Sequence, residues 1–318
     1  MRQSVKSFVG VAATVAVVGA MSACSTSTTQ SDSSAKANAA PAAQTCAGTP
    51  ARQKGVSGVF NEIYDNDFVA NNTNAPYDKF NLMMVAFGHV NAAGELDFEN
   101  VSDGGVAGEK ARLATLLSNT KALRDAGKLK ILMSLGWGTK FNDIPKIEQN
   151  PQKFATSVNT FITANNLDGF DIDYESPTFS SKQKMADVSI AIRQAIGPDK
   201  LFTITPNNVT NLVGSTLSSC YTYVNTQSYN ASGDMPFNVS QVTALGVPGS
   251  MINAGADIEN VNAYGGDKNR VAWAINQYQT LNLNGVFMWQ LKPGTSRYPA
   301  NGPTVNDYAN QMWTATGH

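Results

Sequence analysis

Histidine is almost missing from this chain: His89 and His318 are the two among 318 residues. Cysteine is nearly as scarce, with three, at positions 24, 46 and 220. These shortages exclude a His-rich zinc site, a CxxC metal cluster and a Ser-His-Asp hydrolase. Charge is thin as well. Only 15% of residues are charged, against about 25% in ordinary soluble domains. Neither sign is in excess, with 23 basic and 24 acidic residues and a net charge of -1. That rules out a nucleic-acid binder working through a basic surface, and an acidic solvating tail. There is no G-x-G-x-x-G and no P-loop, so nothing supports nucleotide binding. No apolar run reaches the roughly 20 residues that cross a bilayer. What is present is 42% hydrophobic residues, enough for a substantial core. Any acid–base chemistry falls to carboxylates.

The N-terminus reads as an address. Arg2 and Lys6 precede an uncharged stretch from Phe8 to Met21, of the length of a signal-peptide apolar region. It ends Met21-Ser22-Ala23-Cys24, which resembles a bacterial lipoprotein signal, although Leu is more usual where Met21 stands. The resemblance implies cleavage after Ala23, lipid on Cys24 and a membrane partner reached through that lipid. Ser25 after the cysteine resembles lipoproteins sorted to an outer membrane, so an exported, cell-envelope protein is expected. An ordinary secretory signal cleaved after an alanine is the alternative. From Ser25 to about Thr49 the chain is low-complexity Ser, Thr, Ala and Gln. Such a segment buries too little apolar surface to offset its ordering entropy, so a flexible tether is expected. The expected organisation is a signal at 1–23, a lipidated cysteine and tether at 24–54, and one catalytic barrel at 55–318. Cys46 and Cys220 remain. In an oxidising compartment they form either a bridge or two free thiols.

Beyond the tether, β-rich apolar runs alternate with helical periodicity. Strands are expected at 56–63, 81–89, 130–135, 169–174, 201–205, 223–229, 250–253 and 285–290. Helices are expected at 109–126, ending at Gly127, and from Pro151 to about Ala164 behind an Asn150 cap. Two more are expected at 181–196 and 269–280. The alternation means βαβ units and a parallel sheet. The length fits an α/β fold of the (β/α)8 TIM-barrel type, typically about 250 residues. A doubly wound open sheet is the runner-up.

The most informative stretch is Asp168-Gly169-Phe170-Asp171-Ile172-Asp173-Tyr174-Glu175. Side chains alternate along a strand. Asp171, Asp173 and Glu175 therefore share one face, with Phe170, Ile172 and Tyr174 opposite, packed under helices. The acids must point into the barrel. Three ionised carboxylates there repel, so a shared proton is expected. Glu175 falls at the C-terminal end of the strand, where barrel active sites sit. The competing readings are a solvated acidic strand and a hard-cation site.

The octapeptide matches DGxDxDxE and resembles the signature of family 18 glycoside hydrolases, the chitinases and endo-β-N-acetylglucosaminidases. Ala86-Phe87, Ser134-Leu135-Gly136, Gln227-Ser228-Tyr229-Asn230 and Trp289 are similar to further motifs of that family. Trp137 departs by standing where a second glycine is usual. Too little chain separates the seventh strand from its helix for the family's small inserted domain, so an open, shallow cleft is expected. The resemblance implies substrate-assisted catalysis on N-acetylglucosamine glycans. Glu175 would be the general acid and base. Asp173 would orient the substrate's acetamido group, Asp171 would share a proton with Asp173, and Tyr229 would donate to the acetamido oxygen. Trp289, Gln227, Asn230, Trp137 and Phe87 would contact sugar, with Phe87 nearer core than cleft. No cofactor, metal or nucleic acid is implied, and a monomer is expected. The partner is a chitin-like polysaccharide or a glycoprotein glycan. The alternatives are release of N-glycans by cutting core chitobiose, and a non-catalytic glycan lectin. Asp257 and Glu259 form another carboxylate pair, expected in a solvated loop.

Overall fold

The computed structural model describes residues 46, 48, 51–64, 67–98, 100, 104–136, 142–230, 235–258, 270–291 and 303–318. The chain order is β1 (Val56–Glu62), α1 (Phe68–Asn72), β2 (Leu82–Val90), β3 (Leu96–Phe98), α2 (Gly105–Asn119), α3 (Lys121–Asp125), β4 (Lys130–Leu135), α4 (Asp143–Ile147) and α5 (Pro151–Ala164). It continues with β5 (Gly169–Tyr174), α6 (Lys182–Ile196), β6 (Leu201–Pro206), α7 (Gly214–Cys220), β7 (Tyr223–Thr226), α8 (Met235–Ala244), β8 (Ile252–Asp257), α9 (Arg270–Thr280), β9 (Gly285–Trp289) and α10 (Val305–Ala315). All strands but β3 are parallel to their neighbours, and β1 pairs with both β9 and β2. The sheet therefore closes on itself as a (β/α)8 TIM barrel.

Strand parity sorts the side chains. Outward residues such as Val59, Met83, Ile131, Phe170, Ile172, Phe202 and Ile204 join one large core with the buried faces of the helices. Phe154 of α5 meets Phe170 edge-on at 6.1 Å, and Phe202 stacks on Tyr221 at 4.1 Å. Each such ring is worth about 1.5–3 kcal/mol on burial. Helix starts follow capping chemistry. Asn150 Oδ1 accepts from Lys153 N–H ahead of Pro151, and Ser181 Oγ accepts from Lys184 N–H. Thr304 and Asp307 form a reciprocal capping box.

The strand expected over 223–229 ends at Thr226 and gives way to a turn at Ser228–Asn230, and three further differences have a physical reason. The helix expected over 109–126 is two, α2 and α3, broken at Thr120. That buried side chain hydrogen-bonds back to Leu116 O at 2.7 Å, competing with the helical ladder. Next, β3 was not foreseen. It is three residues long and antiparallel to β2, after a turn in which Asn91 Oδ1 accepts from the Ala93 and Glu95 amides. Third, the strand expected over 250–253 is a 3-10 turn at Gly249–Met251 followed by β8, which runs on to Asp257. Asp257 thus ends a strand and is buried at 2% exposure, not solvated. Small residues hid this strand. A Cβ at Gly255 would stand 2.5 Å from Thr226 O and 2.6 Å from the Phe287 ring.

Cys46 and Cys220 are bridged, with Cα atoms 5.0 Å apart. Nearby, Arg52 Nε donates to Thr222 O at 3.0 Å, and Gln53 N–H to Tyr223 Oη at 2.7 Å. These bonds pin the segment before β1 to the start of β7, at the N-terminal end of the barrel. The bridge joins positions 174 residues apart, so it removes much freedom from the unfolded chain. Replacing both cysteines by serine is expected to lower unfolding stability by about 2–4 kcal/mol in urea titrations. An unchanged midpoint would mean that the bridge constrains only the N-terminal segment.

Candidate active site

The C-terminal ends of the strands place Glu62, Ala86, Asp173, Thr205, Gln227, Asp257 and Trp289 around one mouth. The interior below it is divided. On the β1, β2 and β9 side it is apolar, with Phe60, Met84, Ala86, Phe87 and Phe287 in one cluster. From β4 to β8 it is lined by Ser134, Asp171, Asp173, Thr203, Thr205, Asn225, Gln227 and Asn253, all buried.

Asp171 lies at the centre of the polar side with no exposure at all. Its two oxygens are met by three hydroxyls. Ser134 Oγ is 2.7 Å from Oδ2, Thr205 Oγ1 is 3.0 Å from Oδ1, and Thr203 Oγ1 also bonds Oδ1. Burial pushes the Asp171 carboxyl up from its ordinary value, and the hydroxyls only partly offset this. One strand step higher, Asp173 takes the Gln227 Nε2 donor, which also reaches Thr205 O at 3.0 Å. Glu175 follows just past the end of β5 and is half-buried. Burial raises its carboxyl as well, and a hydrogen bond with Gln227 opposes the rise. Gln227 thus joins the two upper acids.

Gly136 is what lets β4 end against this ladder. A Cβ there would stand 2.4 Å from Asp173 Cβ and 2.9 Å from Asp173 O. Beside it is a recess of about 10 Å³, lined by Gly136, Asp143, Asp173 and Glu175 among others, with room for about one water molecule. Asp143 on its wall is held by His89, whose Nδ1 is 2.7 Å from Asp143 Oδ2, and by the Val90 amide at 3.2 Å. His89 is therefore committed to a buried hydrogen bond with Asp143.

The apolar side rises to an aromatic stack. Phe87 lies between Trp289 (5.8 Å, 20°) and Tyr64 (6.2 Å, 15°), and Phe60 supports Trp289 at 5.4 Å. Trp289 is half-buried and keeps an open surface. Phe87 has 1% exposure, so it buttresses the stack and offers no face to a ligand. Tyr229 is buried beside it, edge-on to Phe287 at 6.3 Å. Asn230 closes the turn Ser228–Asn230, and its side chain lies outside the described residues. So do Trp137, Glu259, Cys24 with the rest of residues 1–45, and residues 259–269 between β8 and α9.

The structure brings together Asp171, Asp173, Glu175, Gln227, Tyr229, Phe87 and Trp289. Sequence reasoning missed Thr203, Thr205, Asn225 and Asn253. Their shared strand parity with the acids was the signal, but hydroxyl and amide residues on strands are too common to single out. It also missed Glu62, which accepts from Tyr64 Oη at the mouth. Among the described residues, no group of three or more His, Cys, Asp or Glu could hold a metal ion.

Residues 62–282 match the family model described as glycosyl hydrolases family 18. Among solved structures, a chitinase from Bacteroides thetaiotaomicron superposes with a TM-score of 0.67 at 15% identity, over 84% of this chain and 99% of that one. The class V chitinase from Nicotiana tobaccum gives 0.64 at 14% identity, over 84% and 99%. A chitinase from Flavobacterium johnsoniae gives 0.63 at 15%, over 83% and 94%. At these identities the superpositions establish the fold. Among curated proteins, none matches the chain.

The raised carboxyls carry a stability signature. An acid whose value is higher folded than unfolded adds stability that is complete below the ordinary carboxylate range. That stability is lost as pH rises through the raised value. The wild-type barrel is therefore expected to lose urea resistance from acidic toward neutral pH, and Asp171→Asn to lose less of it. Parallel curves for the two proteins would show that Asp171 does not titrate above its unfolded value.

Proposed function

Because the chain belongs to the glycosyl hydrolases of family 18, we propose that it cleaves β-1,4 bonds of N-acetylglucosamine glycans, chitin or its oligomers, with retention. The observation that carries this reading is the graded acid ladder. Asp171 is fully buried in hydroxyls, Asp173 is hydrogen-bonded by Gln227, and Glu175 is half-buried at the mouth with its carboxyl raised.

In this reading Glu175 enters the cycle as the acid. Its proton passes to the glycosidic oxygen as the bond from that oxygen to the anomeric carbon breaks. The carbonyl oxygen of the substrate's own 2-acetamido group forms the new bond to that carbon, giving an oxazolinium ion. Asp173 accepts from the acetamido N–H, and Tyr229 donates to the acetamido oxygen. Glu175, now a carboxylate, removes a proton from water as the water attacks. Two inversions at the anomeric carbon leave the original configuration. Trp289, braced by Phe87 and Phe60, supplies an apolar platform for the sugar at the cleavage point. Gln227 hydrogen-bonds both Asp173 and Glu175, and Asn230 and Trp137 are assigned sugar contacts by the family resemblance.

We propose further that the mature protein is held to the cell envelope by lipid on Cys24, and that the chain up to Cys46 serves as a tether. The supporting features are the Met21-Ser22-Ala23-Cys24 sequence and the low-complexity stretch after it. Palmitate labelling that disappears in Cys24→Ser tests the anchor, and unlabelled wild type would remove it.

The test of the reaction is a product assay on chitin oligomers and on a high-mannose glycoprotein. Glu175→Gln is expected to lower kcat by about 10²–10⁴-fold, the usual worth of a general acid–base group. Since the acid form is required, kcat/KM should fall as pH rises through the raised Glu175 value. Cleavage of the glycoprotein alone would make the enzyme an N-glycan releaser. Binding of either glycan without cleavage would make it a lectin.

A further inference from the structure

Beside the acid ladder, a row of side-chain amides runs from β6 toward the start of β9. Thr205 of β6, Asn225 of β7, Asn253 of β8 and Asn284, just before β9, are all buried. Thr205 Oγ1 is 3.1 Å from the Asn225 amide. The Asn225 and Asn253 amides are 2.8 Å apart, and those of Asn253 and Asn284 3.0 Å. An amide's nitrogen and oxygen are told apart by what they face. The outer edge of Asn284 faces two backbone carbonyls, Ser250 O at 3.2 Å and Gln53 O at 3.1 Å. Carbonyl oxygens only accept, so the Asn284 nitrogen belongs on that edge and its oxygen faces Asn253.

Each later step follows from the one before. Asn253 must turn its nitrogen to Asn284 and its oxygen to Asn225. Asn225 must then turn its nitrogen to Asn253 and its oxygen to Thr205. The Thr205 hydroxyl has one hydrogen, and it goes to Asn225. Only lone pairs are left on Thr205 to face Asp171, at 3.0 and 3.2 Å from its two oxygens. An ionised Asp171 would meet those lone pairs on Thr205 and keep only the Ser134 and Thr203 hydroxyls as donors in a dry interior.

We propose that Asn225, Asn253 and Asn284 are positioning residues, a directional hydrogen-bond row anchored on two backbone carbonyls that keeps the Asp171 carboxyl protonated and donating to Thr205. Nothing in the row touches substrate. Its effect reaches the reaction through Asp171, so its functional meaning rests on the glycosidase reading above. Among the described residues, the charged or titratable groups around Asp171 are Asp173 and Glu175 along its own strand and Tyr221, which precedes β7 and interacts electrostatically with Asp171 and with Arg193. The β4 and β6 neighbours, Ser134, Thr203 and Thr205, are uncharged hydroxyls. Two acids and a phenol supply no positive charge to hold Asp171 ionised. With Asp171 neutral, Asp173 can be the single anion beneath Glu175.

Neutron diffraction on deuterated wild-type crystals at neutral pH reads the row directly. The expected result is one deuterium on the Asp171 carboxyl and the Thr205 deuterium directed at Asn225. A bare Asp171 carboxylate, or a Thr205 deuterium directed at Asp171, overturns the proposal. Infrared spectra of protein carrying ¹³C-carboxyl aspartate then test the cause. A protonated-acid carbonyl band, assigned by its loss in Asp171→Asn, should titrate at least about one pH unit lower in Asn225→Leu, a tenfold weaker hold on the proton. Asn284→Leu, which cuts the row at its far end, should act in the same direction and serves if Asn225→Leu does not fold. An unmoved midpoint in a folded variant overturns the positioning role. Neither measurement uses substrate, so failure to cleave any glycan would sink the proposed function and leave the row standing.

Discussion

A carboxylate in a water-free barrel must be neutralised, paired or surrounded by donors, because leaving it ionised and bare costs far more than the fold can supply. Neutral side chains bond all three acids of this ladder. Uncharged donors do the work: Ser134 and Thr203 around Asp171, and Gln227 on Asp173. This single constraint explains why four strands, β4 on one side of the acids and β6 to β8 on the other, turn hydroxyls and amides inward where a barrel of this size usually packs Val, Ile and Leu.

The same constraint shapes the opposite wall. With half of the interior polar, the apolar contribution is concentrated in the rings of Phe60, Phe87, Phe287, Tyr229 and Trp289. Bulk on that side is matched by its absence on the other. The Phe287 ring occupies the space a side chain at Gly255 would need, and Asp173 occupies the space beside Gly136. The mouth is therefore bordered by an aromatic stack on one side and an acid ladder on the other, one wall apolar and one polar.

Much of this was legible in the sequence, for identifiable reasons. Strict alternation from Asp168 to Glu175 gave the strand, its inward face and the placement of Glu175 at the mouth. The recurrence of such strands between helical stretches gave the barrel. What could not be read depended on partners distant in sequence. Thr205 meets Asp171 across 34 positions and Asn253 meets Asn225 across 28, and nothing local marks either pair. Asp257 was misplaced because the small residues before it, Gly255 and Ala256, have weak strand propensity and owe their conformation to Phe287 packed against them. The break at Thr120 turned on one side-chain bond that competes with a helix whose apolar periodicity continues past it.

Burial along β5 also orders the three acids by their access to solvent. Asp171 is sealed and Asp173 is 7% exposed, while Glu175 is half-buried. In the proposed cycle the group that gives a proton to substrate and recovers one from water must be reachable from the mouth, and of these three acids Glu175 is the most exposed. A group whose protonation must stay fixed through that cycle is best sealed away, and Asp171 is. The strand's parity and its direction toward the mouth therefore give chemically similar carboxyls different surroundings. Desolvation, rather than any difference between aspartate and glutamate, separates them.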